Sequence, residues 1–226
     1  MCLIVLAWRV DRAHALIVAA NRDEFHGRPA APAAFWKDHP EILAGRDLEA
    51  GGTWMGVSRT GRFAAVTNYR GGRDPGAKES RGFLVRDFLS GKAKTRDFMQ
   101  QKDESRGGYS GFNLLACDGE ELWVLSNRDG GARRLEPGIY GLANLLLDTP
   151  EVAGPKEDFA RSIGAGAADE SLFGVLAKSK ILGAEYGTRC STVLVSNGGS
   201  LRYAERPFDA AGKESATGRF EFGTQR

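Results

Sequence analysis

A cysteine stands directly behind the first methionine in MCLIVLAW, so removal of Met1 would leave Cys2 carrying a thiol and a free α-amine on one residue. Thiolates, not thiols, attack carbonyl carbons, and an unperturbed cysteine is mostly protonated at neutral pH. An α-amine titrates at about 7.7–8.0, so it can take the proton of a nucleophile on its own residue. A small second residue permits loss of the methionine. The plain alternative is a buried strand cysteine, a common fate for that residue type.

Polar residues at the ends of four other apolar runs could complete such a site. Arg22 and Asp23 close ALIVAANRD, Asn68 closes FAAVTNYR, Asn144 leaves GIYGLAN, and Arg189 enters RCSTVLV. Arg22 would lower the pKa of a nearby thiol, and Asp23 would hold the α-amine. The side-chain amides of Asn68 and Asn144 suit an oxyanion hole, where losing one donor costs ~10²–10³ in rate. Each has a bland counterpart: an ion pair closing a hairpin, a turn or cap asparagine, a surface arginine. Asn21 and Glu24 read as turn-holding residues, with Glu24 pointing away by alternation.

Other reactive residue types read as structural. Cys117 and Cys190 are assigned to the core. His14, His26 and His39 are too far apart for a metal motif and read as exposed loop residues; no CxxCH haem attachment is present. Core packing explains Trp8, Trp36, Trp54 and Tyr69 as well as ligand stacking does. The basic, glycine-rich GGRDPGAKESRG lacks phosphate-loop spacing and reads as a pocket-rim loop.

The elements that would position these residues are mostly antiparallel. CLIVLAWRV and ALIVAANRD, separated by DRAH, predict a hairpin of buried strands. Gly51-Gly52 predicts a turn before a strand at 53–58, and FAAVTNYR predicts another strand. Leu84, Val85, Phe88 and Leu89 share a helical face, with Ser80 as N-cap and Gly91 as stop. TRDFMQQ predicts a short helix. FNLLACDGEELWVLSN predicts a hairpin turning at Asp118-Gly119, and GIYGLANLLLD a strand running into a loop. PKEDFARSI and DESLFGVLAKSKIL predict helices, the second capped by Asp169 or Ser171. STVLVSNGGSLRYAERPF predicts a closing hairpin through Asn197-Gly198, and Phe220 and Phe222 a last edge strand. The βαβα alternation of a doubly wound sheet is missing, so the fold class is α+β, in one domain over residues 1–226.

The chain has 226 residues, 42% hydrophobic and 27% charged, the balance of an ordinary soluble globular protein. A net charge of +2 is too small to argue for nucleic acid or an acidic membrane. Three cysteines without a CxxC pair favour a reducing compartment over a disulfide framework. CLIVLAW lacks a basic n-region and runs into RVDR, so it does not read as a signal peptide, and no run reaches the ~18 apolar residues of a membrane helix. The expected location is cytoplasmic.

Taken together, MCLIVLAWRV, AANRDEFHGRPAAPAAFW, EILAGRDLEAGGTWMGV, GRFAAVTNYR, SRGFLVRDFL, GFNLL, GIYGLAN and RCSTVLV resemble the NRDE family, also called the transport-and-Golgi-organisation family, whose motif stands here as Asn21-Arg22-Asp23-Glu24. The resemblance covers about residues 1–195 and implies an N-terminal-nucleophile hydrolase-like fold of four layers, α, β, β and α. That family is similar in turn to cysteine amidases that cleave conjugated bile salts, penicillin V and N-acyl amides. Their Cys, Arg, Asp, Asn, Asn, Arg pattern would fall on Cys2, Arg22, Asp23, Asn68, Asn144 and Arg189. In those amidases the first Arg and Asp are separated by a few residues, whereas here they are adjacent.

Two readings follow. In the first, Cys2 attacks a non-peptide amide, Asn68 and Asn144 hold the oxyanion, and water releases the acyl group without any cofactor. In the second, drawn from the family's association with haem trafficking and lipid homeostasis, the same pocket binds haem or an acyl lipid as cargo and cuts nothing.

Overall fold

The computed structural model describes residues 2–10, 12–72 and 74–225. The expected turn residue Asp11, Arg73 of the glycine-rich loop and Met1 lie outside the described residues. Contacts divide the chain into two compact units, one of residues 1–28, 137–143 and 147–223 and one of residues 29–136, 144–146 and 224–226.

The first unit is a six-stranded antiparallel sheet in the order β10-β1-β2-β11-β12-β13. Its strands are β1 (Leu3–Trp8), β2 (Leu16–Phe25), β10 (Gly138–Leu142), β11 (Tyr186–Ser196), β12 (Ser200–Pro207) and β13 (Gly218–Gly223). All six residues of β1 are buried, so both faces of that strand are covered, as an uninterrupted aliphatic run requires. Helices α3 (Ala153–Gly164) and α4 (Asp169–Ala177) pack on one face, where Leu3, Val5, Ile17, Ala19, Val193 and Val195 meet Phe159, Leu172 and Leu176. Each fully buried Val, Leu, Ile or Phe side chain among them contributes about 1.5–3 kcal/mol. The hairpin from β11 to β12 turns through Asn197 and Gly198, where φ is +84° and glycine carries no steric penalty.

The second unit is a seven-stranded antiparallel sheet running β3 to β9 in sequence order. It comprises β3 (Ala30–Phe35), β4 (Ile42–Asp47), β5 (Met55–Ser58), β6 (Phe63–Asn68), β7 (Phe112–Cys117), β8 (Leu122–Ser126) and β9 (Arg133–Leu135). Helices α1 (Gly82–Ser90) and α2 (Thr95–Glu104) cover it, with Leu84, Val85, Phe88, Leu89, Phe98 and Met99 in its core. Gly91 ends α1 as expected, its N–H donating to the Asp87 carbonyl. The anchor of α1 is Arg62, whose guanidinium donates to the carbonyls of Phe88 (2.9 Å) and Ala93 (2.8 Å) and lies 3.9 Å from the centre of the Phe88 ring. Arg62 is buried, so Arg62→Ala would strand two carbonyls at the helix end. Unfolding in urea should show a loss of about 2–4 kcal/mol; a loss below 1 kcal/mol would exclude the anchoring role.

Several expectations change. Strands β3, β4 and β9 have no counterpart in the sequence reading. β3 holds Pro32 beside a register irregularity, β4 ends in a Gly-Arg-Asp that mimics a turn, and β9 is a three-residue, arginine-rich edge. Strand β5 begins at Met55 rather than at residue 53. Ser80 and the pair Asp169/Ser171 do not cap; the caps of α1 and α4 are Arg81 and Ala168, without side-chain hydrogen bonds. Helix α4 also stops at Ala177, because Ile181 is drawn out to pair with Thr188 of β11. Three tryptophans are structural: Trp8 is buried, Trp36 donates to the Ala44 carbonyl at 3.0 Å, and the Trp54 ring occupies the place of a Cβ on Gly45. Among the described residues no helix is long and apolar enough to cross a membrane.

Candidate active site

In the first unit the site is assembled by the ladder between β1 and β2. Leu3 pairs with Asn21, and one further step of that register sets Cys2 opposite Arg22. Residues directly opposed in an antiparallel pair project to the same side, so Cys2 and Arg22 share a face while Asp23 turns to the other. The adjacency of Arg22 and Asp23 therefore distributes them over both faces of one strand end. Both are buried.

Cys2 is half-buried, and its thiol donates to the main-chain carbonyl of Asp23, with Sγ 3.7 Å from the oxygen. Burial pushes the thiol pKa up, the Asp23 carboxylate adds to the rise, and the Arg22 guanidinium opposes it. The thiol so described is a protonated resting group. Burial also pushes the Asp23 carboxyl up, countered by a hydrogen bond from the Thr188 hydroxyl. That bond is short, 2.6 Å from Thr188 Oγ1 to Asp23 Oδ1. The Tyr186 hydroxyl donates to the same Asp23 carbonyl at 3.0 Å, and its ring meets the exposed Phe25 edge to face. Burial and the neighbouring Cys2 and Asp23 push the Tyr186 phenol far up, so it remains a donor.

Arg189 sits in a β-bulge, where the pairing of β11 with β2 steps from Thr188–Asp23 to Cys190–Arg22. Its guanidinium donates to the carbonyls of Phe25, His26 and Arg28 at 2.9–3.1 Å and so ties down the turn that ends β2. Asn21 is not in a turn. It lies within β2, accepts from Ser191 Oγ at 2.6 Å and donates to the Leu176 carbonyl at 3.0 Å, joining β2 to β11 and to the end of α4. Cys190 is buried opposite Arg22, its thiol pushed well up by burial and by Glu205. Cys117 is buried in the second unit.

The two expected oxyanion residues belong to the second unit and are joined to each other. Asn144 Nδ2 donates to the Asn68 carbonyl at 2.6 Å, and the Asn144 carbonyl accepts from the Arg70 N–H at 2.7 Å. One amide hydrogen of Asn144 remains beyond that bond, and its buried Oδ1 has no hydrogen-bond partner among the described residues. Asn113, on β7, braces the pair: its Nδ2 donates to Thr67 Oγ1 at 3.1 Å and to the Leu145 carbonyl at 2.8 Å. Thr188, Tyr186 and Asn113 have no place in the sequence reading. A hydroxyl or amide inside an apolar run looks like any strand residue until its cross-strand partner is known.

Among the described residues no group of three or more His, Cys, Asp or Glu side chains could hold a metal ion. His26 Nε2 lies 3.0 Å from the Gly183 carbonyl, and His39 Nδ1 lies 3.5 Å from Glu41.

Residues 1–182 match the family described as Transport and Golgi organisation 2. Curated relatives include the Transport and Golgi organization protein 2 homolog of Bos taurus, 42% identical over 149 residues, which covers 61% of this chain and 53% of that protein. The homolog of Mus musculus is 41% identical over 147 residues, covering 61% and 53%, and the Drosophila melanogaster protein 28% over 168 residues, covering 66% and 59%. The chain spans about half the length of the curated relatives it matches. Among solved structures, a Caenorhabditis elegans ortholog of N-acylethanolamine-hydrolyzing acid amidase superposes with a TM-score of 0.58 at 13% identity, over 87% of this chain and 93% of that one. A mutant conjugated bile acid hydrolase from Clostridium perfringens superposes with a TM-score of 0.54 at 8% identity, over 98% and 92%. At such identities the likeness is one of fold: α+β, with two antiparallel sheets, of the N-terminal-nucleophile hydrolase type.

Proposed function

Since the chain belongs to the Transport and Golgi organisation 2 family and has the fold of N-terminal-nucleophile hydrolases, we propose that it is an amidohydrolase of non-peptide C–N bonds with Cys2 as nucleophile. The observation that carries this reading is the contact of Cys2 Sγ with the Asp23 carbonyl, beside a carboxylate fixed by Thr188. With Met1 removed, the α-amine of Cys2 takes the thiol proton and the sulfur attacks the amide carbon. The same proton passes to the leaving nitrogen as the C–N bond breaks, leaving an acyl thioester. Water then adds to the thioester carbon, the C–S bond breaks, and the acid departs with the thiol restored. Asp23 fits the role of holding the amine, and Arg22 that of favouring the thiolate. The resemblance gives the oxyanion to Asn68 and Asn144. The named activities of the two solved amidases support an N-acyl amide as the substrate class.

The resting thiol is the sharpest test. A thiol pushed up by burial should react slowly unless the adjacent amine is freed, so processing and reactivity should appear together. Intact mass should show one methionine missing. Mild treatment with a limiting thiol reagent should label Cys2 at least about tenfold faster than the buried Cys117 and Cys190. Retained methionine with three equally slow thiols would refute the hydrolase and direct the work to haem and acyl-lipid titrations.

A further inference from the structure

Thr188 stands in a position that only the irregularity of β11 creates. In an unbroken strand, residues 188 and 190 would project to one side. Here Thr188 pairs with Asp23 and Cys190 with Arg22, neighbours that face opposite ways, because Arg189 is an extra residue in the ladder. The bulge therefore turns Thr188 onto the Asp23 side and leaves Cys190 on the Arg22 side. Arg189 is held out by its three bonds to the carbonyls of the Phe25–Arg28 turn, so the irregularity is itself anchored.

The hydrogen bonding of Thr188 is directional. Its Oγ1 accepts the Ile181 N–H at 2.8 Å, and at 2.6 Å it gives its only hydroxyl proton to Asp23 Oδ1. Asp23 Oδ1 is thereby fixed as an acceptor. Both side chains are buried, Thr188 at 2% and Asp23 at 4% exposure, so water does not compete for this bond. The carbonyl of the same residue accepts from the Tyr186 hydroxyl.

We propose that Thr188 is the positioning residue of Asp23, turned toward it by the Arg189 bulge, and that it holds the carboxylate in the orientation that receives the α-amine of processed Cys2. This rests on the hydrolase reading above, and it adds a residue that neither touches substrate nor belongs to the expected catalytic set. A hydroxyl serving only stability would, when replaced by a group that fills its space, change the unfolding of the chain and leave kcat where it was.

The test uses the full chain with Thr188→Val, which keeps shape and loses the hydroxyl, and Thr188→Ser, which keeps the hydroxyl. Should the valine variant not fold, Thr188→Ala carries the same comparison. On a simple N-acyl amide, valine should lower kcat by about 10- to 100-fold with KM within about twofold, and serine should restore most of the loss. A valine variant with wild-type kcat, a serine variant as impaired as valine, or an effect wholly in KM overturns the assignment. The Asp23 charge also bears on the Cys2 thiol, so the alkylation rate of Cys2 is a second readout that needs no turnover. If the wild type cleaves nothing and Cys2→Ser makes no difference, the hydrolase reading falls. A several-fold change of that rate in valine but not in serine then still supports the positioning role, and equal rates in all three overturn it.

Discussion

Replacing Cys2 by alanine should lower amide turnover by about 10⁴-fold or more while thermal unfolding stays within about 0.5 kcal/mol of the wild type. The thiol is the one protein group proposed to form a bond with the acyl carbon, so no neighbouring side chain takes over its role. It is only half-buried, and its hydrogen bond among the described residues is a long S–H···O contact to a carbonyl that also accepts from the Tyr186 hydroxyl. Its loss therefore leaves the fold in place. Cys2→Ser separates nucleophile from scaffold further, since it keeps the α-amine and changes only the attacking atom. Turnover unaffected by either change would end the catalytic reading. In that case haem or acyl-lipid binding that survives Cys2→Ala would point to a carrier whose thiol is not a ligand.

The second large effect is expected at Asp23, with stability and activity moving in opposite directions. Burial raises its carboxyl pKa in the folded state above the ordinary 3.8, only partly offset by Thr188. A group raised on folding favours the folded state below its unfolded pKa, and that advantage is lost as pH rises through the folded value. At neutral pH the buried Asp23 charge is thus a destabilising feature. Asp23→Asn removes the charge and still offers Oδ1 to the Thr188 hydroxyl. Melting curves should show the variant more stable than wild type at pH 7, with the difference shrinking toward pH 4. Turnover should fall by at least about 10²-fold, because an amide cannot hold a protonated amine as a carboxylate does. A lower Tm at pH 7 together with undiminished turnover would show that Asp23 is a structural carboxylate and no part of the chemistry.

The sequence displays the candidate residues of this site more clearly than the residues that hold them. Cys2, Arg22, Asp23 and Asn144 are visible because unusual residue types stand at the ends of strong apolar runs. Turns built on glycine and asparagine, such as Asn197-Gly198, are visible because their backbone demands are local. Thr188 is hidden because its role depends on a partner 165 residues away and on a bulge without a local signature. Asn113 is hidden because a buried amide inside FNLLAC reads as one more alternating strand position. The assignment of Asn21 to a turn fails for a related reason. Its polarity suggests a loop, yet Ser191 and the Leu176 carbonyl satisfy both ends of its amide inside the sheet. Apolar periodicity misleads once, at Ile181 and Leu182, which continue the helical pattern of α4 while one is paired to β11 and the other is 66% exposed.

The one-residue insertion at Arg189 works as a change of phase. A β-strand is a signal of period two, and a single extra residue inverts it, so the two ends of β11 obey opposite rules about which positions face the helices. Downstream, odd-numbered residues such as Val193 and Val195 face the helices; upstream, the even-numbered Thr188 takes that side. One continuous strand therefore serves two sets of constraints that would clash in a regular ladder: packing along one half and a buried hydrogen bond to a carboxylate along the other.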